Sequence, residues 1–282
     1  MNRQDVFNLT SDFRNNIYVQ SFTHHMTVVD FEQWGAGEYK IGFDIAEKFG
    51  KFIHLYIPYA TISTLEKAIV FTRFAEKQGI TIITSLVGYV AYGRQERETD
   101  SEPELLVMTK LLLHQLTNVH VIDPHNMASM RQFKQLFFTK VVDQGYPSNT
   151  YVIAPDNGAD ERNKTLGIRS HVVVDKHRCD GQVCSTILLD EIDQPLDQPL
   201  DFIIFDDICD GGRTFVNVAK LVKEKYPNCN ITLCVGHAIL PFGTEQLKGH
   251  IDKIVTLNTC FPAGTYDGGF IKVLSALDVF YK

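Results

Sequence analysis

The sequence predicts an α/β protein with two tandem domains, each a mainly parallel sheet flanked by helices. Short apolar runs recur along the chain and are nearly continuous, which is typical of strands buried on both faces. Helix-period patterns lie between these runs and favour parallel β-α-β units. At roughly 150 residues per domain, 282 residues correspond to about 1.9 domains.

Eight runs have the composition of buried strands. They are Phe52–Ile57, Ile80–Val87, Val119–Ile122, Tyr151–Ala154, His171–Val174, Phe202–Phe205, Ile231–Val235 and Ile254–Leu257.

Helices are predicted between these strands. Leu65 and Ala68 share one face of a helix over Thr61–Lys77, and a second helix follows Pro103, which suits a first helical turn. A third has apolar residues at helical spacing over Phe215–Val222.

The predicted domain boundary lies in the polar segment Asp143–Asn149, which separates two series of strands and helices. We therefore expect an N-terminal domain over residues 1–145 and a C-terminal domain over residues 146–282. The last helix could pack back on the N-terminal domain.

The charge balance narrows the function classes. Lys and Arg total 27 and Asp and Glu total 34, which gives a net charge of −7. An acidic surface argues against a general nucleic-acid or anionic-membrane binder, but a few local cations can still hold a small anion. The polar N-terminus and the lack of a long apolar run predict a cytoplasmic protein. The six cysteines are interpreted mostly as buried thiols.

The strongest chemical signal is the segment Phe202–Thr214. Its apolar strand brings Asp206 and Asp207 to a carboxyl end, where open α/β sheets bind ligands. Glycines then permit a tight turn, and Thr214 is expected to cap the next helix, whose free N–H groups favour an anion. Carboxylates suit vicinal hydroxyls or Mg²⁺. A sugar phosphate carries both vicinal hydroxyls and an anionic phosphate.

This segment resembles a known phosphate loop. D-D-I-C-D-G-G-R-T over residues 206–214 is similar to D-D-x-x-D-T-x-G-T of type I phosphoribosyltransferases and ribose-phosphate pyrophosphokinases. Tyr92–Arg97 resembles the Y-A-R-Q-D-R signature of the pyrophosphokinases. Three further segments follow in order: Asp123–His125 resembles D-L-H, Ala154–Gly158 resembles S-P-D-x-G, and Asp175–Arg178 resembles D-K-R-R. The chain is identified as a divergent ribose-phosphate pyrophosphokinase.

The resemblance implies two phosphoribosyltransferase-like domains and a Mg²⁺-dependent transfer of the diphosphoryl group of ATP to the 1-hydroxyl of ribose 5-phosphate. It also implies a homo-oligomer, a dimer or hexamer, with an ATP site shared between subunits. The implied catalytic residues are Lys176 and Arg178, on a mobile loop that closes over the phosphates. The implied ATP-binding residues are Arg94, Gln95, Arg97, Trp34 and Glu38. The implied metal-associated residues are His125 and Asp156. The implied sugar-phosphate residues are Asp206, Asp207, Asp210, Gly211, Gly212, Arg213 and Thr214.

The phosphate loop departs from the family pattern at two positions. Gly211 replaces a threonine, and Arg213 replaces a glycine. A hydroxyl donor is lost, while an added guanidinium suits a longer and more charged group such as a diphosphate. The alternative acceptor is therefore ADP-ribose, which would give ADP-ribose 1-diphosphate for NAD synthesis.

A second departure lies at Trp34–Glu38, which resembles the family's F-S-D-G-E loop. Trp34 and Glu38 keep the aromatic and acidic residues, but Ala36 replaces the aspartate. Stacking on adenine is expected to survive this change. The alternative interpretation makes Trp34 an anchor in the hydrophobic core.

Two further hypotheses concern function. One is a catalytically silent regulatory subunit of the same fold, which the basic and acidic site residues argue against. The other is a phosphoribosyltransferase acting on a nucleobase, which the R-Q-E-R segment and the double-domain length argue against.

Overall fold

In a computed structural model of the chain, the described residues are 12–21, 26–94, 103–147, 150–179, 182–189, 199–265 and 269–281. They fall into two compact units. The first lies within Thr10–Leu136 and also includes Asn258–Cys260 and Ala276–Lys282. The second lies within Phe137–Leu257 and Phe261–Ser275.

The described residues of the first unit form a six-stranded sheet in the order β2-β1-β5-β6-β7-β8, and β3 and β4 form a separate hairpin. Strands β5 to β8 are parallel, whereas β1 is antiparallel to both of its neighbours. The strands are β1 Tyr18–Ser21, β2 Thr27–Val28, β3 Glu32–Gln33, β4 Tyr39–Lys40, β5 Phe52–Ala60, β6 Thr81–Val90, β7 Val119–Ile122 and β8 Lys134–Leu136. The helices are α1 Ile45–Phe49, α2 Ile62–Lys77 and α3 Glu104–Leu113.

The described residues of the second unit form a seven-stranded sheet in the order β11-β10-β9-β12-β13-β14-β15. All neighbouring strands are parallel except β10 and β11, which form an antiparallel hairpin. The strands are β9 Thr150–Ala154, β10 Val172–Cys179, β11 Gln182–Leu189, β12 Leu200–Cys209, β13 Cys229–Ala238, β14 Lys253–Leu257 and β15 Ile271–Leu274. The helices are α4 Phe138–Asp143, α5 Asn157–Leu166 and α6 Arg213–Lys225. The last helix, α7 Ala276–Tyr281, belongs to the first unit.

The fold class predicted from the sequence is confirmed. Each of the eight apolar runs lies within or overlaps a strand. Strands of a parallel sheet are apolar on both faces because the helices that connect them cover both faces of the sheet. In β12 the side chains from Phe202 to Phe205 are all buried. The domain boundary at residues 145 and 146 stays a prediction.

Two local expectations needed correction. Pro103 precedes α3 as its N-cap residue rather than standing in its first turn. The strand expected to end at Val174 continues to Cys179, because its outer half pairs with β11 after β9 has ended.

A buried polar contact completes the first unit. The Tyr56 hydroxyl on β5 donates to the carbonyl oxygen of Asn258 at 2.7 Å, and the Asn258 amide oxygen accepts from the backbone N–H of Ala276 at 2.7 Å. Burial raises the pKa of Tyr56 well above its ordinary value, so the hydroxyl stays a donor. Tyr56 and Asn258 therefore connect the central sheet to the start of α7.

Replacing Tyr56 with Phe should lower the free energy of unfolding by about 1–3 kcal/mol, because it leaves a buried carbonyl oxygen without its donor. Urea unfolding measures this change. The matched control is Tyr39→Phe, which removes an exposed hydroxyl 3.5 Å from Ser63 and should change stability by less than about 0.5 kcal/mol. Equal effects of the two substitutions on the free energy of unfolding would contradict a stabilising role for the buried Tyr56 hydroxyl.

Candidate functional site

The carboxyl end of β12 carries two adjacent aspartates. Asp206 is half-buried and Asp207 is buried. Because successive residues of a strand point to opposite faces of the sheet, these carboxylates have different surroundings. The backbone N–H of Asp207 donates to Asp206 Oδ1 at 2.8 Å, which orients the Asp206 carboxylate.

The Asp207 carboxylate forms an ion pair with Arg162 on α5. The distance from Arg162 Nη2 to Asp207 Oδ2 is 3.1 Å, and the side chains are only 10% and 4% exposed. The sequence analysis missed Arg162, because a basic residue in the polar segment Glu161–Lys164 is typical of a solvated helix face. No motif pairs it with a residue 45 positions away.

Asp156 precedes the same helix. Its carboxylate caps α5 by accepting from the backbone N–H of Ala159 at 3.0 Å. Its negative charge also acts on Asp206. Asp156 therefore has a structural role in addition to the metal-associated role implied by the resemblance.

The pKa of Asp206 lies well above its ordinary value. Burial is the largest cause, followed by the charge and side-chain hydrogen bond of Asp207 and then by the charge of Asp156. The hydrogen bond from the Asp207 backbone acts in the opposite direction. A cation or hydroxyl donors from a ligand would relieve this repulsion.

The phosphate loop follows β12 and leads into α6. Gly212 is the N-cap residue, with φ of 78°, and no side chain caps this helix. The expectation that Thr214 is the cap is wrong, because the helix already begins at Arg213 and Thr214 lies in its first turn. The first N–H groups of a helix have no intrahelical acceptor, so this uncapped terminus can donate to an anion.

The two glycines of the loop differ in what they require. Gly212 has a left-handed conformation, and a Cβ there would lie 3.0 Å from the Leu247 side chain. A Cβ at Gly211 would meet only ordinary contacts with Phe242, at 3.7 Å and 3.8 Å. The backbone therefore requires glycine at 212 and has room for a side chain at 211.

The remaining residues of the loop lie around this turn. Asp210 is half-buried, as is Thr214 in the first turn of α6. Arg213 is exposed at the first position of α6. A cationic side chain thus stands beside the uncapped helix terminus.

Lys176 and Arg178 lie in β10, and not in a loop as the resemblance implied. Only Val172 and Val173 of this strand pair with β9, and their partners are Ile153 and Ala154. The remainder of β10 pairs with β11 alone and extends past the carboxyl end of β9. The hairpin therefore leaves the sheet at the same edge at which β12 presents Asp206.

The first unit contains the described residues expected to bind ATP and also His125, which is expected to be metal-associated. Arg94 and His125 follow β6 and β7, two neighbouring parallel strands, so both lie past the same edge of that sheet. Arg94 is exposed and His125 is half-buried. Gln95 and Arg97 lie outside the described residues.

Trp34 and Glu38 flank the turn of the β3–β4 hairpin. The backbone N–H of Trp34 donates to the carbonyl oxygen of Glu38 at 3.0 Å. Glu38 is exposed, and Trp34 is 61% exposed. The alternative interpretation of Trp34 as a core anchor is therefore wrong. An exposed indole is available to stack on a ligand or on another chain.

Among the described residues, no three His, Cys, Asp or Glu side chains are grouped as a site for a metal ion. Mg²⁺ does not need such a group, because it is usually held by one or two carboxylates together with substrate phosphates and water. Asp206 and Asp156 supply hard oxygen donors of this kind, and their mutual repulsion favours a cation. They fit Mg²⁺ better than a metal that prefers sulfur or nitrogen ligands.

The raised pKa of Asp206 gives a prediction about stability. The carboxylate titrates near 3.9 in an unfolded chain and at higher pH in the fold, so its charge destabilises the fold as pH rises between these values. Without ligands and with a chelator present, Asp206→Asn should therefore stabilise the protein, by an amount that grows as pH rises above about 4.

Unfolding by urea at several pH values measures the effect. The control is Asp201→Asn, which removes a carboxylate from an exposed position of the same strand. A gain for Asp206→Asn that is constant or shrinks with rising pH would contradict the prediction.

The chain was compared with protein families and individual proteins. No family model matches it. It is 27% identical over 200 residues to a ribose-phosphate pyrophosphokinase of Thermosipho africanus, and the match covers 64% of this chain and 60% of that protein. A ribose-phosphate pyrophosphokinase of Campylobacter jejuni is 24% identical over 239 residues, which cover 78% of this chain and 74% of that protein.

The fold has a match among solved structures. A phosphoribosylpyrophosphate synthetase from Mycobacterium smegmatis aligns with a TM-score of 0.64 and 14% identity, covering 99% of this chain and 93% of the other. At this identity the structural match shows the two-domain fold, and the sequence matches show common ancestry. The described helices include none with the length and hydropathy of a membrane span. The chain is a distant homologue of the ribose-phosphate pyrophosphokinases.

Proposed function

We propose that the protein is a Mg²⁺-dependent diphosphokinase that acts on ATP and ribose 5-phosphate. The anomeric 1-hydroxyl oxygen attacks the β-phosphorus of ATP. The bond between the β-phosphorus and the oxygen that bridges it to the α-phosphorus breaks, and this oxygen stays with AMP. The hydroxyl proton is released, and the products are 5-phosphoribosyl 1-diphosphate and AMP. The described part of the chain supports this proposal through one arrangement: a carboxylate pair beside an uncapped helix terminus at one sheet edge.

The arrangement matches the parts of a sugar phosphate. The N–H groups at the start of α6 and the exposed Arg213 suit the terminal phosphate. The carboxylates of Asp206 and Asp207 suit the ribose hydroxyls, which are hydrogen-bond donors. The turn at Gly212 places the helix N–H groups and Arg213 within a few residues of the two carboxylates.

The transfer also needs cations near the migrating charge, because charge is spread over the phosphoryl oxygens in the transition state. In our proposal Lys176 and Arg178 supply these cations from the β10–β11 hairpin. The backbone course of β10 past the sheet edge supports this role.

Mg²⁺ would be held by Asp206 and Asp156 of the second unit. His125, in the first unit, is a metal-associated residue implied by the family. When bound, Mg²⁺ would act as a Lewis acid and would neutralise negative charge that develops during the transfer. Arg94, with Gln95 and Arg97, would bind the ATP phosphates, and Trp34 with Glu38 would contact the adenine group. We further propose a cytoplasmic homo-oligomer, a dimer or hexamer, in which Trp34 reaches the ATP site of a neighbouring subunit.

A second candidate acceptor is ADP-ribose, supported by the exposed Arg213 beside the helix terminus. A guanidinium there suits a diphosphate, which is longer and more charged than a monoester. A regulatory subunit without activity is the candidate from another class. The raised pKa of Asp206 argues against this candidate, because a purely structural protein gains nothing from the repulsion between Asp206, Asp207 and Asp156.

One incubation tests these candidates. The protein is mixed with ATP and Mg²⁺, either with ribose 5-phosphate or with ADP-ribose, and the products are resolved by mass spectrometry. We expect AMP and a 1-diphosphate with ribose 5-phosphate. Product formed only with ADP-ribose would identify ADP-ribose as the acceptor. The absence of AMP with both acceptors would contradict the proposal that the protein is a diphosphokinase.

Lys176→Ala should lower kcat by about 100- to 1,000-fold, because the transition-state charge loses one donor. ATP affinity, measured by isothermal titration calorimetry, should change little. Lys225→Ala, at the far end of α6, is the control and should keep full turnover. Unchanged turnover in Lys176→Ala would remove the β10–β11 hairpin from the proposed mechanism.

The double substitution Gly211→Thr with Arg213→Gly should favour ribose 5-phosphate over ADP-ribose by about tenfold or more in kcat/KM, if one charge-assisted contact is exchanged for one hydroxyl contact. Gly211→Thr alone tests the hydroxyl, since the backbone has room at 211. The same ratio of kcat/KM values in the double variant and the unaltered protein would show that these positions do not select the acceptor.

A further inference from the structure

The ion pair between Arg162 and Asp207 lies directly behind the proposed sugar site. We infer that Arg162 is a positioning residue that sets the place and charge of the Asp206–Asp207 pair for ribose binding. The inference rests on the proposed function, because it assigns the same edge of β12 to the sugar. Arg162 itself need not touch the ligand.

The contacts form a short chain from helix to ligand site. Arg162 Nη2 holds Asp207 Oδ2 at 3.1 Å, and the backbone N–H of Asp207 holds Asp206 Oδ1 at 2.8 Å. A shift of Asp207 therefore shifts the donor that orients Asp206. Because the guanidinium is planar and always charged, it fixes the direction of the Asp207 carboxylate as well as its place.

Helix α5 brings a second carboxylate into the same framework. Asp156 caps the start of α5, and Arg162 lies within the helix six residues later. A displacement of α5 relative to β12 would therefore move the charge of Asp156 with respect to Asp206. The Arg162–Asp207 pair connects these two elements and so keeps all three carboxylates in register.

Stability alone does not account for such a pair. Removing two charges from water is costly, and apolar residues of similar volume are often as stabilising as a buried ion pair. The pair does offset the charge of Asp207 beside Asp206, whose own charge is already unfavourable. Without Arg162, the Asp207 carboxylate would lose this positive charge at the edge that receives an anionic sugar phosphate.

The test compares Arg162→Met, which keeps much of the volume, with Arg162→Met/Asp207→Asn, which removes both charges. If Arg162 positions the pair, Arg162→Met should raise the KM for ribose 5-phosphate about tenfold or more, while the KM for ATP changes less than about twofold. The double variant should recover part of this loss, because no unpaired buried charge remains. Arg162→Lys should recover less than half, since lysine lacks the planar fork.

Lys164→Met is the matched control on the same helix, because the exposed Lys164 amine forms ion pairs with the largely buried Asp160 and with the exposed Glu161. It should leave both KM values unchanged. Thermal unfolding of every variant separates loss of fold from loss of position. If Arg162→Met does not fold, Arg162→Lys carries the test: a raised KM for ribose 5-phosphate with little change in the KM for ATP is then the expected result, and an unchanged KM for both overturns the inference.

A binding measurement distinguishes failure of this inference from failure of the proposed function. Titration calorimetry with ribose 5-phosphate and Mg²⁺ needs no turnover. If the unaltered protein forms no AMP but binds the sugar phosphate, and Arg162→Met weakens binding about tenfold, the proposed function fails and the inference stands. A folded Arg162→Met protein with unchanged sugar affinity overturns the inference alone. No binding by the unaltered protein overturns both.

Discussion

The candidate site depends on the mutual repulsion of carboxylates at the carboxyl end of β12. Asp206 lies next to Asp207 and within the field of Asp156, in surroundings that raise its pKa. Such a group is stabilised by a cation or by hydroxyl donors and destabilised in their absence. Arg162 offsets the charge of Asp207 and so maintains the geometry of the site, while Asp206 can still bind a ligand.

The parallel sheet explains why these groups meet at one edge. Strands β9, β10 and β12 run in the same direction, so the chain segments that follow them emerge on the same side. Asp156 follows β9, the outer part of β10 extends beyond the sheet, and the phosphate loop follows β12. The basic residues of β10 and the acidic residues of β12 therefore lie in segments that are far apart in sequence but reach the same side of the sheet. No long loop is needed to bring these segments there.

Much of this could be predicted from the sequence, and the exceptions have physical reasons. Continuous apolar runs identified the buried parallel strands, since burial on both faces determines their composition. The short strands β3 and β8 carry no such signal. The prediction that Thr214 caps the helix was wrong because Gly212, two residues earlier, adopts a left-handed conformation and is itself the N-cap residue. Arg162 was missed because the partner of a buried charge is chosen by tertiary packing.

The energetic cost of the acidic edge bears on whether the chain is a scaffold or an active protein. Common ancestry and fold leave that question open, because a silent subunit needs only the sheets and their packing. Replacement of Asp206 by an uncharged residue would relieve the repulsion without disturbing the buried strand Phe202–Phe205. Carboxylates that repel one another at a sheet edge are typical of groups placed for ligand binding rather than for folding. The carboxylates at this edge of β12 therefore support the proposal of a protein that binds a sugar phosphate together with a divalent cation.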